Sequence, residues 1–246
     1  MADIHHITIP ALEQMASISH AFTTRRNKTG AGNNGIKSPN DWNVVAEDFG
    51  VSPDRLVTAN QVHGETIATV DGRNYRSMQT VEADAMITRI PGIAIGVETA
   101  DCVPLLLFDS ATPAVAAIHA GWRSTVRKIV QKAVEKMQEE FGSDPARLIA
   151  AIGPAIGPEC YEVDEPVMGP VRDVFPFWKE VATLRGAGQW SLDLVKVNMM
   201  ELIRLGLAEQ NIHSLGLCTS CRKDIFYSFR AEGRTGRILS VIMLKP

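Results

Sequence analysis

The stretch ADAMITRIPGIAIGVETADCVPLLLFDSATPAVAAIHAGWRS, residues 83–124, decides how the chain is read. Within it, residues 83–88, 93–97, 103–108 and 114–119 form short runs of Ile, Val, Leu and Ala, broken by Pro-Gly, Asp-Cys and Ser-Ala-Thr-Pro. Runs of this length between turn residues predict β-strands. Two further runs, 56–62 and 66–70, come just before, so the six together imply a sheet core. Apolar Val126, Ile129, Val130, Ala133, Val134 and Met137 then recur at helical spacing. Ser124 reads as the N-cap and Gly142 as the stop of one helix over 124–141, with one face on the sheet.

Further strands are expected at 19–23, 148–152, 214–217, 226–229 and 238–244, and helices at 42–49, 165–174 and 192–207. Strands and helices mix without strict alternation, which favours an α/β class: an α/β/α sandwich around a mixed β-sheet. No repeat, low-complexity tract or linker divides the chain, so residues 1–246 are read as a single domain. The segment RRNKTGAGNNGIKSPND, 25–41, has too little apolar content to pack and is either a solvated connection or a flap over substrate.

With 45% apolar and 22% charged residues over 246 positions, the chain has the balance of a globular protein with a substantial core. A net charge of -3 supplies no positive field for phosphate backbones, so nucleic acid is not an expected partner and small molecules are. MADIHHITIP lacks the basic patch and apolar run of an export signal. The apolar runs near 93–97 and 103–108, interrupted by Glu98 and Asp101, fall short of the ~20 residues of a membrane span. Four cysteines without such a signal read as thiols or metal ligands. A cytoplasmic monomer without membrane contact is the expectation.

Chemistry concentrates in NQVHG (60–64), ETADCVP (98–104) and AIHAGWRS (117–124). Each sets a metal-ligating side chain just past a predicted strand, beside residues that let the backbone turn. Two imidazoles and a thiolate, from His63, His119 and Cys102, suit zinc and also copper. Three protein ligands leave a position for water or substrate, the arrangement of a catalytic rather than a structural site. Other readings stand beside this one. His63 can be a hydrogen-bonded strand end, Cys102 a buried small hydrophobe, or Cys102 a nucleophile with His119 or His63 as its base.

Cys218 and Cys221 form a CxxC pair with no second pair nearby and read as structural thiols, while Cys160 beside Tyr161 reads as packing. His5, His6, His20 and His213 have no partner pattern and read as surface or loop residues. Arg25, Arg123 and Arg230 stand where an anion could be gripped. The glycines of GPAIGP lack the spacing of a phosphate-binding loop or a dinucleotide fingerprint.

Taken with IGPAIGPECYEV (152–163) and CTSCRKDIFYSFRAEGRTGR (218–237), these stretches resemble the laccase-domain, multicopper-polyphenol-oxidase-like (YfiH) proteins. These are regarded as purine nucleoside phosphorylases with adenosine deaminase activity. The resemblance runs from FTTR at 22–25 to the last strand. It implies a single α/β/α domain and a zinc ion on the histidine of QVHG, the cysteine of ADC and the histidine of HAGW, here His63, Cys102 and His119. It also implies phosphorolysis of adenosine, inosine, guanosine and methylthioadenosine, together with hydrolytic deamination of adenosine. Two other activities attach to such proteins: copper-dependent polyphenol oxidation, for which this chain lacks several His-rich clusters, and editing hydrolysis of peptidoglycan precursors.

Within that frame, catalysis needs His63, Cys102 and His119, with Asp101 either the acid or base of the reaction or the residue that fixes the Cys102 loop. Arg25 and Arg230 are the candidates for binding phosphate. The family pattern after FTTR carries Gly-Gly and then Asn-Leu-Gly, whereas this chain has Arg26-Asn27 and GAGNNGIKSPND.

Overall fold

In a computed structural model of the chain, residues 6–25 and 42–246 are described. The possible flap over 26–41 and His5 lie outside the described residues. In chain order, β1 (His6–Ile7), α1 (Pro10–Glu13) and β2 (Ile18–Thr23) are followed by α2 (Trp42–Asp48), β3 (Leu56–Val57) and β4 (Ile67–Thr69). Next come β5 (Ala85–Thr88), β6 (Ala94–Thr99), β7 (Val103–Asp109), β8 (Ala114–Ala120), α3 (Trp122–Val126) and α4 (Ile129–Phe141). Then β9 (Leu148–Ile152), β10 (Glu162–Val163), α5 (Glu165–Val174), α6 (Trp178–Val181), β11 (Ala182–Gly186) and β12 (Gln189–Leu192). The set closes with α7 (Leu194–Arg204), β13 (Ile212–Ser214), α8 (Phe229–Glu232) and β14 (Ile238–Leu244).

The expected mixed α/β sandwich is present, with helices on both outer faces and two large sheets between them. One sheet has the order β1-β2-β14-β6-β3 and the other β13-β9-β7-β8-β5-β4, while β10-β12-β11 forms a small third sheet. Most pairs are antiparallel, but β3 with β6, β4 with β5 and β13 with β9 run parallel. Alternation along each strand divides the core. From β7, Leu106 and Phe108 meet Ile95, Val97 and Ile242 of the facing sheet, whereas Val103, Leu105 and Leu107 face the helical layer. α4 covers that outer face with Ile129, Val130, Ala133, Val134 and Met137. Each of its large apolar side chains contributes about 1.5–3 kcal/mol. Val45 and Ala46 of α2 cover Leu239, Val241 and Met243 on the opposite outside.

Several boundaries differ from expectation for physical reasons. The helix expected over 124–141 is two helices. Lys128 takes the left-handed conformation at φ 64°, and α3 starts from Gly121 rather than Ser124. Gly142, at φ 73°, closes α4 as expected, its N–H bonding to Gln138 O. The aromatic run 226–229 is not a strand: Ser228 accepts from the Ala231 N–H and caps α8. The strand expected over 56–62 stops at Val57; beyond it Asn60 makes only an isolated bridge, and the N–H groups of Val62 and His63 turn to a buried carboxylate. The hairpin β11-β12 and the short β1 were not anticipated.

Candidate active site

Two loops and the end of one strand carry the site. Strand β8 fixes His119, which pairs with Pro104 across the β7-β8 ladder. The β6-β7 connection carries Asp101 and Cys102, and the loop after β3 carries His63. Two of these residues hold unusual backbone: His63 lies at φ 56° and Asp101 at φ 92°. Such conformations cost about 1–3 kcal/mol each and need neighbours to enforce them.

For His63 the enforcing neighbour is Asp84, a fully buried residue not singled out from sequence. Its carboxylate accepts from Val62 N–H (3.2 Å), His63 N–H (2.9 Å) and Gly64 N–H (2.6 Å). The same carboxylate takes His119 Nδ1 at 2.8 Å, so it sets both the His63 turn and the His119 ring. Burial works against ionisation of Asp84, but the His119 bond and the converging N–H groups hold it below the usual carboxylate range. Gln61 braces the turn from the other side, donating to Glu98 O and accepting from Glu98 N–H, at 2.8 and 2.7 Å.

For Asp101 the enforcing neighbours come from far along the chain. Its carboxylate accepts from Thr219 Oγ1 and from the Arg230 backbone N–H, both at 2.6 Å, and its carbonyl accepts from Ile156 N–H at 2.9 Å. These contacts are those of a residue that fixes the Cys102 loop.

The structure brings His63, Cys102 and His119 together, with ligand atoms all within 4.8 Å of one another. Cys102 Sγ stands 3.9 Å from His63 Nε2, and the two imidazoles meet edge to face at 4.7 Å between centroids. Burial opposes ionisation of the Cys102 thiol, yet hydrogen bonds and charge from His119 and His63 outweigh it and bring the thiol down to about 6. Burial likewise disfavours charge on His119, but Asp84 and Cys102 push it up to about 9. The resulting thiolate–imidazolium pair is also the resting form of a cysteine nucleophile. What fits a metal is the geometry around Gly121. A Cβ there would sit 3.0 Å from Cys102 Sγ, 3.1 Å from His63 Cδ2 and 3.8 Å from His119 Nε2. The donors therefore converge on a space that only glycine leaves clear.

They open into a cleft of about 580 Å³, within the range of small-molecule sites. Aromatic Trp122, Tyr161 and Phe229 line it, and Phe229 is 57% exposed at its edge. Glu98 enters from β6, and burial raises its carboxyl above the ordinary value against the pull of Arg237. Three guanidinium-bearing residues line the same cleft: Arg123, stacked on Trp122 at 4.4 Å, Arg230, over Tyr161 at 5.2 Å, and Arg237. Arg230 also donates to Glu162 O at 2.7 Å.

Arg25, expected to grip the anion, does not line this cleft. Its guanidinium bonds Glu232 at 3.0 Å and the Phe226 carbonyl at 3.2 Å, and stacks over Tyr227. It ties down the segment that presents Arg230. Glu98 and Arg237 were not read from the sequence as site residues. An acid inside an otherwise apolar strand was the available signal for Glu98.

The model of a family described as multi-copper polyphenol oxidoreductase laccase matches residues 21–245. The chain belongs to this laccase-domain family. Among curated relatives, a purine nucleoside phosphorylase of Bacteroides thetaiotaomicron is 32% identical, over 95% of this chain and 94% of its own length. Adenosine deaminase RL5, from an unknown prokaryotic organism, is 35% identical over 82% and 80%. The crystal structure of the hypothetical protein YfiH of Bacillus licheniformis superposes with a TM-score of 0.90 at 29% identity, covering 98% of this chain and 97% of that one. The resemblance read from the motifs is thereby borne out, and the chain is an enzyme of the laccase-domain family, which implies a metal site. Among the described residues, no helix is long and apolar enough to cross a membrane.

Proposed function

We propose that the chain is a zinc-dependent purine nucleoside phosphorylase, taking adenosine, inosine, guanosine and methylthioadenosine, that also deaminates adenosine. The observation that carries this reading is one cleft in which three metal-ligating atoms, the half-buried carboxyl group of Glu98 and guanidinium groups converge. The names of the relatives support the same reaction classes.

His63, Cys102 and His119 are the residues that would hold the zinc ion, Asp84 keeping His119 with Nδ1 engaged so that Nε2 faces the other donors. Bound there, zinc supplies Lewis acidity for polarising water or a substrate heteroatom. A His2Cys set accepts copper as well, but a multicopper oxidase needs several copper sites. Among the described residues, the only other candidate metal group consists of cysteines alone.

Trp122, Tyr161 and Phe229 give the purine ring apolar faces. Arg230, with Arg123 and Arg237, offers planar cations for phosphate. Glu98, held in its neutral form more readily than an exposed carboxyl, is placed to give a proton to the departing base or amine. Asp101 and Arg25 act at one remove, shaping the Cys102 loop and the Arg230 segment.

The test is turnover of adenosine and inosine by metal-analysed protein, with and without phosphate, with products separated by chromatography. We expect phosphate-dependent release of free base and conversion of adenosine to inosine, both lost in His63→Ala. Glu98→Gln should keep its metal and lose about 100-fold or more in kcat. Silence of the metal-loaded wild type toward every nucleoside would falsify the reading.

A further inference from the structure

Away from the cleft, the fold joins three cysteines that are distant in sequence. Cys160 ends the Gly/Pro-rich turn after β9, while Cys218 and Cys221 belong to CTSC, beyond β13. Their Sγ atoms all lie within 4.8 Å of one another, Cys160 and Cys221 at 3.4 Å. The two segments are already bound through the backbone: Ala155 N–H donates to Leu217 O and Thr219 N–H to Ala155 O. From sequence, the CxxC pair lacked a partner. Folding supplies one.

Two features distinguish this cluster from thiols that only pack. Cys218 Sγ accepts from two backbone N–H groups, Gly157 at 3.2 Å and Cys221 at 3.4 Å. Such N–H groups stabilise sulfur when it carries negative charge, and the bond from Cys221 to Cys218 closes the CxxC turn around the first sulfur. Gly157 permits this approach, since a Cβ there would stand 3.3 Å from Cys218 Cβ and 3.4 Å from its Sγ. The second feature is access. Cys218 and Cys221 border a separate cavity of about 270 Å³, so a fourth ligand can come from solvent.

We propose that Cys160, Cys218 and Cys221 form a second metal site, which binds a zinc ion through three thiolates and one water molecule. Zinc–sulfur bonds near 2.3 Å in a tetrahedron set sulfurs about 3.8 Å apart, which these side chains reach by small rotations. Binding releases the thiol protons to solvent and involves no change of oxidation state. The ion clamps the 153–161 turn to CTSC. Both segments brace the cleft: Ile156 and Thr219 hold Asp101, and Tyr161 follows Cys160 into the cleft wall.

The chain has four cysteines, so Cys102→Ala leaves only these three. Cobalt(II) titration of reduced Cys102→Ala protein therefore reads this cluster alone among thiols. We expect intense thiolate-to-cobalt charge-transfer absorption in the near ultraviolet, saturating at about one equivalent and abolished by zinc. Elemental analysis complements it: Cys160→Ser and Cys221→Ser should each fall from about two zinc ions per chain to about one, as should His63→Ala. Absence of the charge-transfer band in folded Cys102→Ala overturns the proposal. So does a Cys160–Cys221 disulfide in metal-supplemented protein purified without chelator, read as a 2 Da mass deficit. Absence of nucleoside turnover in the metal-loaded wild type, with the band intact in Cys102→Ala, would instead count against the catalytic reading.

Discussion

Asp84 accepts three backbone N–H groups from the His63 turn and one imidazole from His119, all from a position with no solvent exposure. Removing its charge should act through both histidines at once. Asp84→Asn should weaken zinc retention about 10- to 100-fold, measured by competition with a chromogenic chelator. Unchanged affinity would mean the carboxylate serves the backbone alone. His63 and Cys102 were legible because each lies just beyond an apolar run, and His119 because it is the one polar residue in the apolar run 114–120. Asp84 was hidden because an acid at a strand start usually marks a turn. The contacts of Arg25 were not legible, because its partners, Glu232 and the Phe226 carbonyl, lie some two hundred positions away. A second titratable residue governs stability. His20 accepts the Ile9 N–H through Nε2 at 2.8 Å, and burial lowers it to about 4 from the ordinary 6.5. Between these values the unfolded chain binds the proton and the folded chain does not. Stability from neutral His20 is therefore complete above pH 6.5 and drains as pH falls toward 4, by on the order of 3 kcal/mol. Urea midpoints across this window should drop steeply for the wild type and less for His20→Gln, and parallel acid limbs would rule the linkage out.

At the level of elements, the end of β9 shows how closely the two large sheets meet. A Cβ on Gly153 would stand 2.3 Å from Phe22 Cδ1 and 2.9 Å from Pro104 Cγ, so backbone from one sheet rests against an aromatic ring of the other. Gly153→Ala should cost about 3 kcal/mol by overpacking, seen as a lower urea midpoint at constant slope. A neutral substitution would mean that Phe22 has room to swing away. Nothing in GPAIGP announces this contact, since a glycine before proline reads as a turn residue whatever lies opposite. The break between α3 and α4 was equally silent. Val126, Ile129 and Val130 keep helical spacing across it, and the left-handed lysine has its reason in tertiary contacts, an ion pair of Lys128 with buried Glu201 at 2.7 Å and its ammonium over the Phe175 ring at 4.1 Å.

For the whole molecule, the sequence announced the class but not the doubling of the β layer. Every residue of β7, β8 and β14 is buried, so these strands show no polar alternation that would reveal which face meets which neighbour. Sheet membership is a tertiary fact. Strand β14 runs between β2 and β6 at the centre of one sheet, and Ile242 and Leu244 pass into the layer shared with the other. We propose on this ground that the chain behaves as one domain. Calorimetry of metal-stripped protein should give a single transition with matching calorimetric and van't Hoff enthalpies. Two resolved transitions would divide the sandwich into independent halves.

The wide spacing of the catalytic donors also has a bearing on how the protein acquires its metal in a cell. Cys102 follows His63 by 39 positions, and their meeting depends on Asp84 and Gly121 as well. A nascent or unfolded chain therefore has no chelate to offer at that site, and the choice of ion falls to the finished fold and whatever metal pool surrounds it. The cysteines of CTSC, three positions apart, can grasp a thiophilic ion before folding is done. Supplementing or starving a culture at different stages of expression should thus alter the two populations separately, with early supply favouring the cysteines and late supply the histidines.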